Sequence, residues 1–362
     1  MADRRGRRLA ALAEELDAAH LDALLLSSLP NIRYLTGFSG TSALLLVVGR
    51  EAHLVTDSRY AVQAAEESGD VARVDVQTQS LWLGLWQRLG ALPQVRVVGF
   101  ESMQLLHRDF QRLLEQGDRW QWRPTVEFVE GLRERKDPEE VAAIRRAGRM
   151  ATDALAQLVP QLRPGLSELQ IAGMLERALR EAGSEGFAFP TIVASGPRAA
   201  QPHARSSARE VRSGELLLID FGAQAGGYCS DVTRTFVVGK AGEREREVHG
   251  VVRGALERAA AEVRAGMRGR DADALARHYI ERRGWGERFQ HSLGHGLGLE
   301  VHEAPRLSRQ AETPLPEGAV VTIEPGVYEP GWGGVRIEDD VHLGADGPEV
   351  LTHFTRELLE LA

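Results

Sequence analysis

Four carboxylates stand inside apolar, strand-forming runs of the carboxyl-terminal half, and this placement limits what the chain can fold into. Asp220 closes Gly214-Glu-Leu-Leu-Leu-Ile-Asp-Phe221, and Asp231 lies in the β-rich run from Tyr228 to Val238. Glu324 follows Val321-Thr-Ile, and Glu338 follows Gly333-Gly-Val-Arg-Ile. An ionised group withdrawn from water costs several kcal/mol unless it is paired or binds a cation. For any one acid an arginine partner is the commoner environment. Four acids together with three nearby imidazoles, His291, His295 and His302, shift the balance toward a metal site. His295 stands between Gly294 and Gly296, and Arg336 precedes Glu338 by two residues. Two divalent cations neutralise four carboxylates, and carboxylates bridge such ions about 3.5–4 Å apart in two-metal hydrolytic sites. The set offers no thiolate, so hard or borderline ions are expected: manganese, cobalt or zinc.

The segments around this set read as helices packed on a curved, mostly antiparallel sheet. Gly214 to Phe221 and Tyr228 to Val238 form a hairpin closed at Ala223 to Gly227. Alternation along its second strand puts Asp231, Thr233 and Thr235 on one face. Asp137, Pro138 and Glu140 make a capping box for a helix running to about residue 159. Ser167 and Gln170 repeat the box for a helix stopping at Gly183. Two more helices are expected at about 243–265 and 271–283. Residues 1–127 alternate helical and strand patterns and predict a smaller α/β domain with a mixed sheet. Within it, Pro30 and Asn31 predict a turn, and Trp82, Trp86, Trp120 and Trp122 predict packing or a subunit interface. The polar stretch 128–137 reads as a linker, and 138–362 as a second, larger domain that holds the acids and imidazoles.

Composition excludes other classes. Acidic residues outnumber basic ones by 52 to 44, with the arginines scattered, so no nucleic-acid partner is expected. No apolar run approaches the roughly 20 residues of a membrane span. The single cysteine, Cys229, permits no intrachain disulfide and fits a reducing, cytoplasmic setting.

The ordered motifs resemble the creatinase/aminopeptidase family with the "pita-bread" catalytic fold. They are Ile219-Asp-Phe-Gly222, Tyr228-Cys-Ser-Asp-Val-Thr-Arg-Thr235, His291-Ser-Leu-Gly-His-Gly-Leu-Gly298, Val301-His-Glu303, Ile323-Glu-Pro-Gly326 and Val335-Arg-Ile-Glu-Asp339. Asn31-Ile-Arg-Tyr-Leu-Thr-Gly-Phe38 and Thr56-Asp-Ser-Arg-Tyr60 are similar to the creatinase-type amino-terminal domain. The resemblance implies that Asp220, Asp231, His295, Glu324 and Glu338 hold two divalent ions, with Asp231 and Glu338 bridging. It implies a substrate-side role for His203, an oxyanion role for His302 and supporting roles for His291 and Arg336. Thr233 is a candidate partner orienting the ligands.

The implied reaction is peptide-bond hydrolysis, with Glu324 relaying a proton to the leaving nitrogen. The resemblance further implies a proline-containing peptide as substrate, cut before the proline, and a homodimer. An Xaa-Pro aminopeptidase is the favoured expectation. An Xaa-Pro dipeptidase is the alternative, with Arg306 as the clamp for the substrate carboxylate. A non-catalytic binding protein of the same fold is a remote third, since such proteins lack ligands that this chain retains.

Overall fold

The computed structural model describes residues 2–362, and the chain divides into two compact units between Arg133 and Glu134. The first unit runs α1 (Ala2–Ala18), β1 (Ala23–Leu26), α2 (Leu29–Thr36), β2 (Ala43–Val48), β3 (Glu51–Asp57), α3 (Ala61–Ser68), β4 (Ala72–Gln77), α4 (Leu81–Gly90), β5 (Val97–Glu101), α5 (His107–Leu114), β6 (Gln121–Thr125) and α6 (Phe128–Arg133). Its six strands form one mixed sheet in the order β4-β3-β2-β1-β5-β6. Leu25, Leu46, Val55 and Val98 are completely or almost completely buried in the core on this sheet, together with Leu85 and Leu89 of α4. Trp86 stacks on Trp120 with ring centroids 6.1 Å apart, and Trp82 lies 5.7 Å from Trp86.

Two expectations for this unit change. Pro30 and Asn31 do not turn the chain but open α2, because proline is tolerated in a first helical turn, where its missing N–H has no partner anyway. Asn31 is fully buried there; its amide donates to Glu101 Oε1 at 2.6 Å and Glu130 Oε1 at 2.7 Å and accepts from Arg133 Nη1 at 2.6 Å. Residues 128–133, expected in a linker, form α6 and belong to the first unit, held by the buried Val129 and Arg133.

The second unit runs α7 (Pro138–Leu158), α8 (Glu168–Glu181), β7 (Ile192–Ser195), β8 (Leu216–Phe221), β9 (Gln224–Ala225), β10 (Tyr228–Cys229), β11 (Val232–Val238), α9 (Glu243–Glu262), α10 (Gly269–Glu281), β12 (Gly294–Gly296), β13 (Glu303–Leu307), β14 (Val320–Ile323), β15 (Gly326–Glu329), β16 (Gly333–Arg336), β17 (Asp339–Gly344), β18 (Gly347–Val350) and β19 (Glu360–Leu361). Among the described residues its ladders are antiparallel except β11–β19. The longer ones form the sheets β19-β11-β8-β7 and β13-β12-β14-β17-β18, with β15-β16 as a separate pair. Helices α7 and α8 pack on the first sheet through Leu155, Ile171 and Leu175 against Ile219 and Phe236. Helices α9 and α10 cover the second through Val252, Leu256 and Ile280 against Val321, Ile323 and Val341.

Both capping boxes form. Asp137 accepts from Glu139 N and Glu140 N, each at 3.0 Å, while Glu140 Oε2 accepts from Asp137 N at 2.9 Å. Ser167 Oγ accepts from Gln170 N at 3.1 Å, and Gln170 Oε1 accepts from Ser167 N at 2.8 Å. The first satisfies three backbone amides at a helix start and the second two, and loss of such a cap typically costs about 1 kcal/mol. Among the described residues no helix is long and apolar enough to cross a membrane.

Candidate metal centre

The β8–β11 hairpin brings the first two acids together. Its register pairs Thr233 with Asp220, and Asp231 lies just before β11. Across from them, Glu338 sits in the short gap between β16 and β17. Its backbone amide donates to Thr233 O at 3.1 Å. Thr233 Oγ1 donates to Glu338 Oε2 at 2.6 Å and accepts from Arg336 Nε at 3.1 Å. One hydroxyl thus orients a carboxylate and a guanidinium at once. Asp220, Asp231, Thr233, Arg336 and Glu338 are all buried.

His295 enters from β12. Its flanking glycines let the two neighbouring strands, β14 and β13, close on it: a Cβ on Gly294 would lie 1.9 Å from Thr322 O, and one on Gly296 would lie 2.1 Å from Ala304 O. His295 Nδ1 is 3.0 Å from Gly296 O. A carbonyl only accepts, so Nδ1 carries the proton and Nε2 presents a lone pair. That lone pair faces Glu324 Oε1 at 3.4 Å and Asp231 Oδ2 at 3.9 Å. Asp231, His295 and Glu338 each offer a ligand atom within 4.8 Å of the others. Thr322 repeats the part played by Thr233: its hydroxyl accepts from His295 N at 3.1 Å and leans toward Glu324 Oε1 at 3.4 Å.

Asp220 stands beside this group and is tied to Arg336, whose Nη2 donates to Asp220 Oδ2 at 2.5 Å. The same guanidinium donates through Nη1 to Tyr328 Oη at 2.9 Å and to Pro202 O at 3.2 Å. His291 completes the chain: Nδ1 donates to Ser292 O at 2.8 Å, so Nε2 accepts from Tyr328 Oη at 3.0 Å. Burial pushes His291 down to about 3 and Tyr328 up to about 12, so both are neutral near pH 7. With both ring nitrogens engaged, His291 is suited to support and not to proton transfer. A buried pair on α10 fixes its segment: Arg277 donates to Phe289 O at 2.9 Å and His291 O at 2.8 Å, and Asp273 Oδ1 accepts from Leu293 N at 3.0 Å.

The donor set fits a pair of divalent cations. Asp220 Oδ1 and Asp231 Oδ1 are buried with no hydrogen-bond partner. Burial, and then mutual repulsion, raises Asp231 and Glu338 well above the usual carboxylate range, and burial lifts Glu324 to about 8. Burial likewise depresses His295 to about 4, leaving it neutral. Bare imidazole and carboxylate oxygens aimed at one another repel unless positive charge lies between them. Arg336 alone does not balance four acids, and two divalent ions would.

Three expected substrate-side residues lie at the exposed margin. His302 packs its ring on His295 with centroids 4.4 Å apart, and the charges of His203 and Arg306 bear on it. His203 also bears on His291. Arg306 is opposite His295 in the β12–β13 register. A cavity of about 1190 Å³ opens next to His291, bounded by Trp285, Arg288, Ser308 and Arg309. Sequence reasoning did not single out Tyr328, Thr322 or Asp340. Fully buried Asp340 accepts from Asp231 N at 3.0 Å, and burial raises its pKa well above the usual range. The run of three acids, Glu338-Asp339-Asp340, was the available signal. Asp339 differs from both neighbours, for it is neutralised by Arg234 at 2.8 Å and Arg356 at 2.7 Å.

Known proteins match both units. Residues 142–345 match Metallopeptidase family M24, and residues 8–135 match the Creatinase/Prolidase N-terminal domain. The chain is 36% identical over 356 residues to an Xaa-Pro dipeptidase of Pyrococcus furiosus, covering 97% of this chain and 99% of that one. Among solved structures, an Xaa-Pro dipeptidase from Bacillus anthracis superposes with a TM-score of 0.94 at 36% identity, over 100% of both chains. An X-Pro aminopeptidase from Thermotoga maritima gives 0.91 at 36% identity, over 98% of this chain and 99% of that one.

Proposed function

Since the chain belongs to metallopeptidase family M24 and carries a creatinase-type amino-terminal domain in front of a pita-bread catalytic fold, we propose that it is an Xaa-Pro dipeptidase. The reading rests on Arg306. Its guanidinium makes no hydrogen bond or ion pair among the described residues, yet its charge bears on His295 and His302. A free, planar cation beside a peptidase centre suits bidentate capture of a substrate's terminal carboxylate. The named dipeptidases among the relatives support the same choice.

M24 peptidases work with a dinuclear divalent centre, here proposed to be manganese held by Asp220, Asp231, His295, Glu324 and Glu338. The ions, when bound, supply Lewis acidity that activates water near neutral pH and polarises the scissile carbonyl. The protein's own groups do the rest. His302, at the open margin, donates to the oxygen of the carbonyl as charge develops on it. Glu324 moves a proton to the leaving proline nitrogen. His203 contacts the substrate. Arg336 and His291 hold Asp220 and Tyr328 in place.

An Xaa-Pro aminopeptidase, favoured by the sequence reading, remains the second reading. The solved X-Pro aminopeptidase from Thermotoga maritima supports it, at 36% identity over nearly all of both chains. Comparing kcat/KM for an Xaa-Pro dipeptide and an Xaa-Pro-Yaa tripeptide, with manganese supplied, separates the two. A nearly inert tripeptide is expected, and a tripeptide cut at least as well as the dipeptide reverses the choice. A cytoplasmic homodimer belongs to the same proposal, with the half-buried Trp82 and the 39% exposed Leu83 as candidate contacts. Sedimentation as a monomer at micromolar concentration would remove the dimer.

A further inference from the structure

Glu168 is the first residue of α8, a position where a carboxylate ordinarily faces water. Here it is completely buried. Its two oxygens accept from both ends of the segment 195–207. Oε1 accepts from Ser195 N and Ser195 Oγ, each at 2.9 Å, and Oε2 accepts from Ser207 N at 3.1 Å and Ser207 Oγ at 2.7 Å. Arg198 Nε adds a charged donor 3.0 Å from Oε2. The start of the helix docks on the same segment, with Leu169 N donating to Ser207 O and Glu168 N to Arg209 O, each at 3.0 Å. A buried carboxylate is tolerable when it is surrounded by donors in this way, so the segment and Glu168 specify each other.

The middle of the segment is held from the opposite side. A Cβ on Gly334 of β16 would lie 2.2 Å from Ala199 O, so the strand lies directly on the short turn Gly196–Ala200. Arg336 Nη1 reaches Pro202 O at 3.2 Å. Ala204 is buried among Ala194, Ala199, Leu218 and Tyr328. Between Pro202 and Ala204 stands His203, exposed, with its charge bearing on His291 and His302.

We infer that Glu168 is a positioning residue for His203: by closing the 195–207 segment it sets the imidazole against the site from a helix that contributes no ligand. The inference rests on the peptidase reading of the site. It places the effect of Glu168 on substrate binding and not on metal retention.

The test uses the full-length, metal-loaded enzyme. Glu168→Gln keeps the size and puts an NH₂ group against the serine donors. His203→Ala is expected to raise KM about tenfold, Glu168→Gln to do much the same, and the double variant to go no further, because residues acting as one unit are not additive. Metal content should match the wild type. Hydrogen exchange should quicken at amides 196–206 and stay unchanged in β8 and β11. Effects that multiply in the double variant, an unaltered KM, or faster exchange throughout the second unit would each overturn the inference. Should Glu168→Gln not fold, Ser195→Ala and Ser207→Ala, which remove donors from opposite ends of the segment, carry the same comparison. A wild type that cleaves no Xaa-Pro peptide overturns the peptidase reading instead, and exchange across 196–206 still decides whether Glu168 pins the segment.

Discussion

Thr233 and Glu338, 105 residues apart in sequence, are joined by a hydrogen bond of 2.6 Å between the threonine hydroxyl and Oε2 of the carboxylate. Because the same hydroxyl accepts from Arg336, it has no freedom to rotate away. Partners of this kind typically contribute 10–100-fold to metal affinity by orienting a ligand. Thr233→Val keeps the shape and removes the hydroxyl. It should weaken metal binding by about 10–100-fold, read by competition against a chelator of known affinity. Wild-type affinity would show that Glu338 does not depend on this bond.

Asp231 is buried in the group with His295 and Glu338 and retains an oxygen without a hydrogen-bond partner. Asp231→Asn removes one of four balancing charges, and at least one ion should be lost per chain. Elemental analysis with two ions still bound and full activity would remove the bridging assignment.

His302 touches His295 but lies at the exposed edge, with burial and neighbouring positive charge lowering its pKa. His302→Ala should lower kcat by about 10²–10³, the usual effect of losing one oxyanion donor, with metal content unchanged. Loss of metal would make His302 a ligand.

Arg306→Ala should raise KM sharply for an Xaa-Pro dipeptide while leaving metal content intact, since the guanidinium is proposed to meet the carboxylate. An unchanged KM for the dipeptide would place the carboxylate clamp elsewhere.

Protein stripped of metal by a chelator should lose stability as pH rises from about 6.5 to 8. Glu324, lifted to about 8 by burial from its ordinary 4.5, stays protonated when folded over a range in which the unfolded chain has released its proton. The folded state then binds more protons, and stability falls with rising pH by up to about 1.4 kcal/mol per unit for each such group. Asp231 and Glu338 add in the same direction. Buried His291 and His295, lowered to about 3 and about 4 from 6.5, act oppositely but only below about 6.5. Adding manganese should flatten the slope, because bound metal holds the carboxylates ionised. A melting temperature of the stripped protein that climbs from pH 6.5 to 8 would contradict this.

Local chemistry in the sequence determined much of this protein. Capping boxes at Asp137 and Ser167 depend on residues three apart, and both form. The hairpin carrying Asp220 and Asp231 follows from alternation and a glycine turn. The acids embedded in apolar strands already mark a candidate site in the sequence, because such burial requires compensating charge. Tertiary structure decided which partner each polar group meets. Asn31 read as a turn residue because its partners Glu101, Glu130 and Arg133 lie 70, 99 and 102 positions away. Asp339 and Asp340 are adjacent and alike in sequence. One is neutralised by two arginines while the other accepts an amide behind Asp231. Periodicity states the face a side chain occupies; the hydrogen bonds that give it a role come from strands and helices distant in the chain, so Glu168, Thr322 and Tyr328 acquired theirs only on folding.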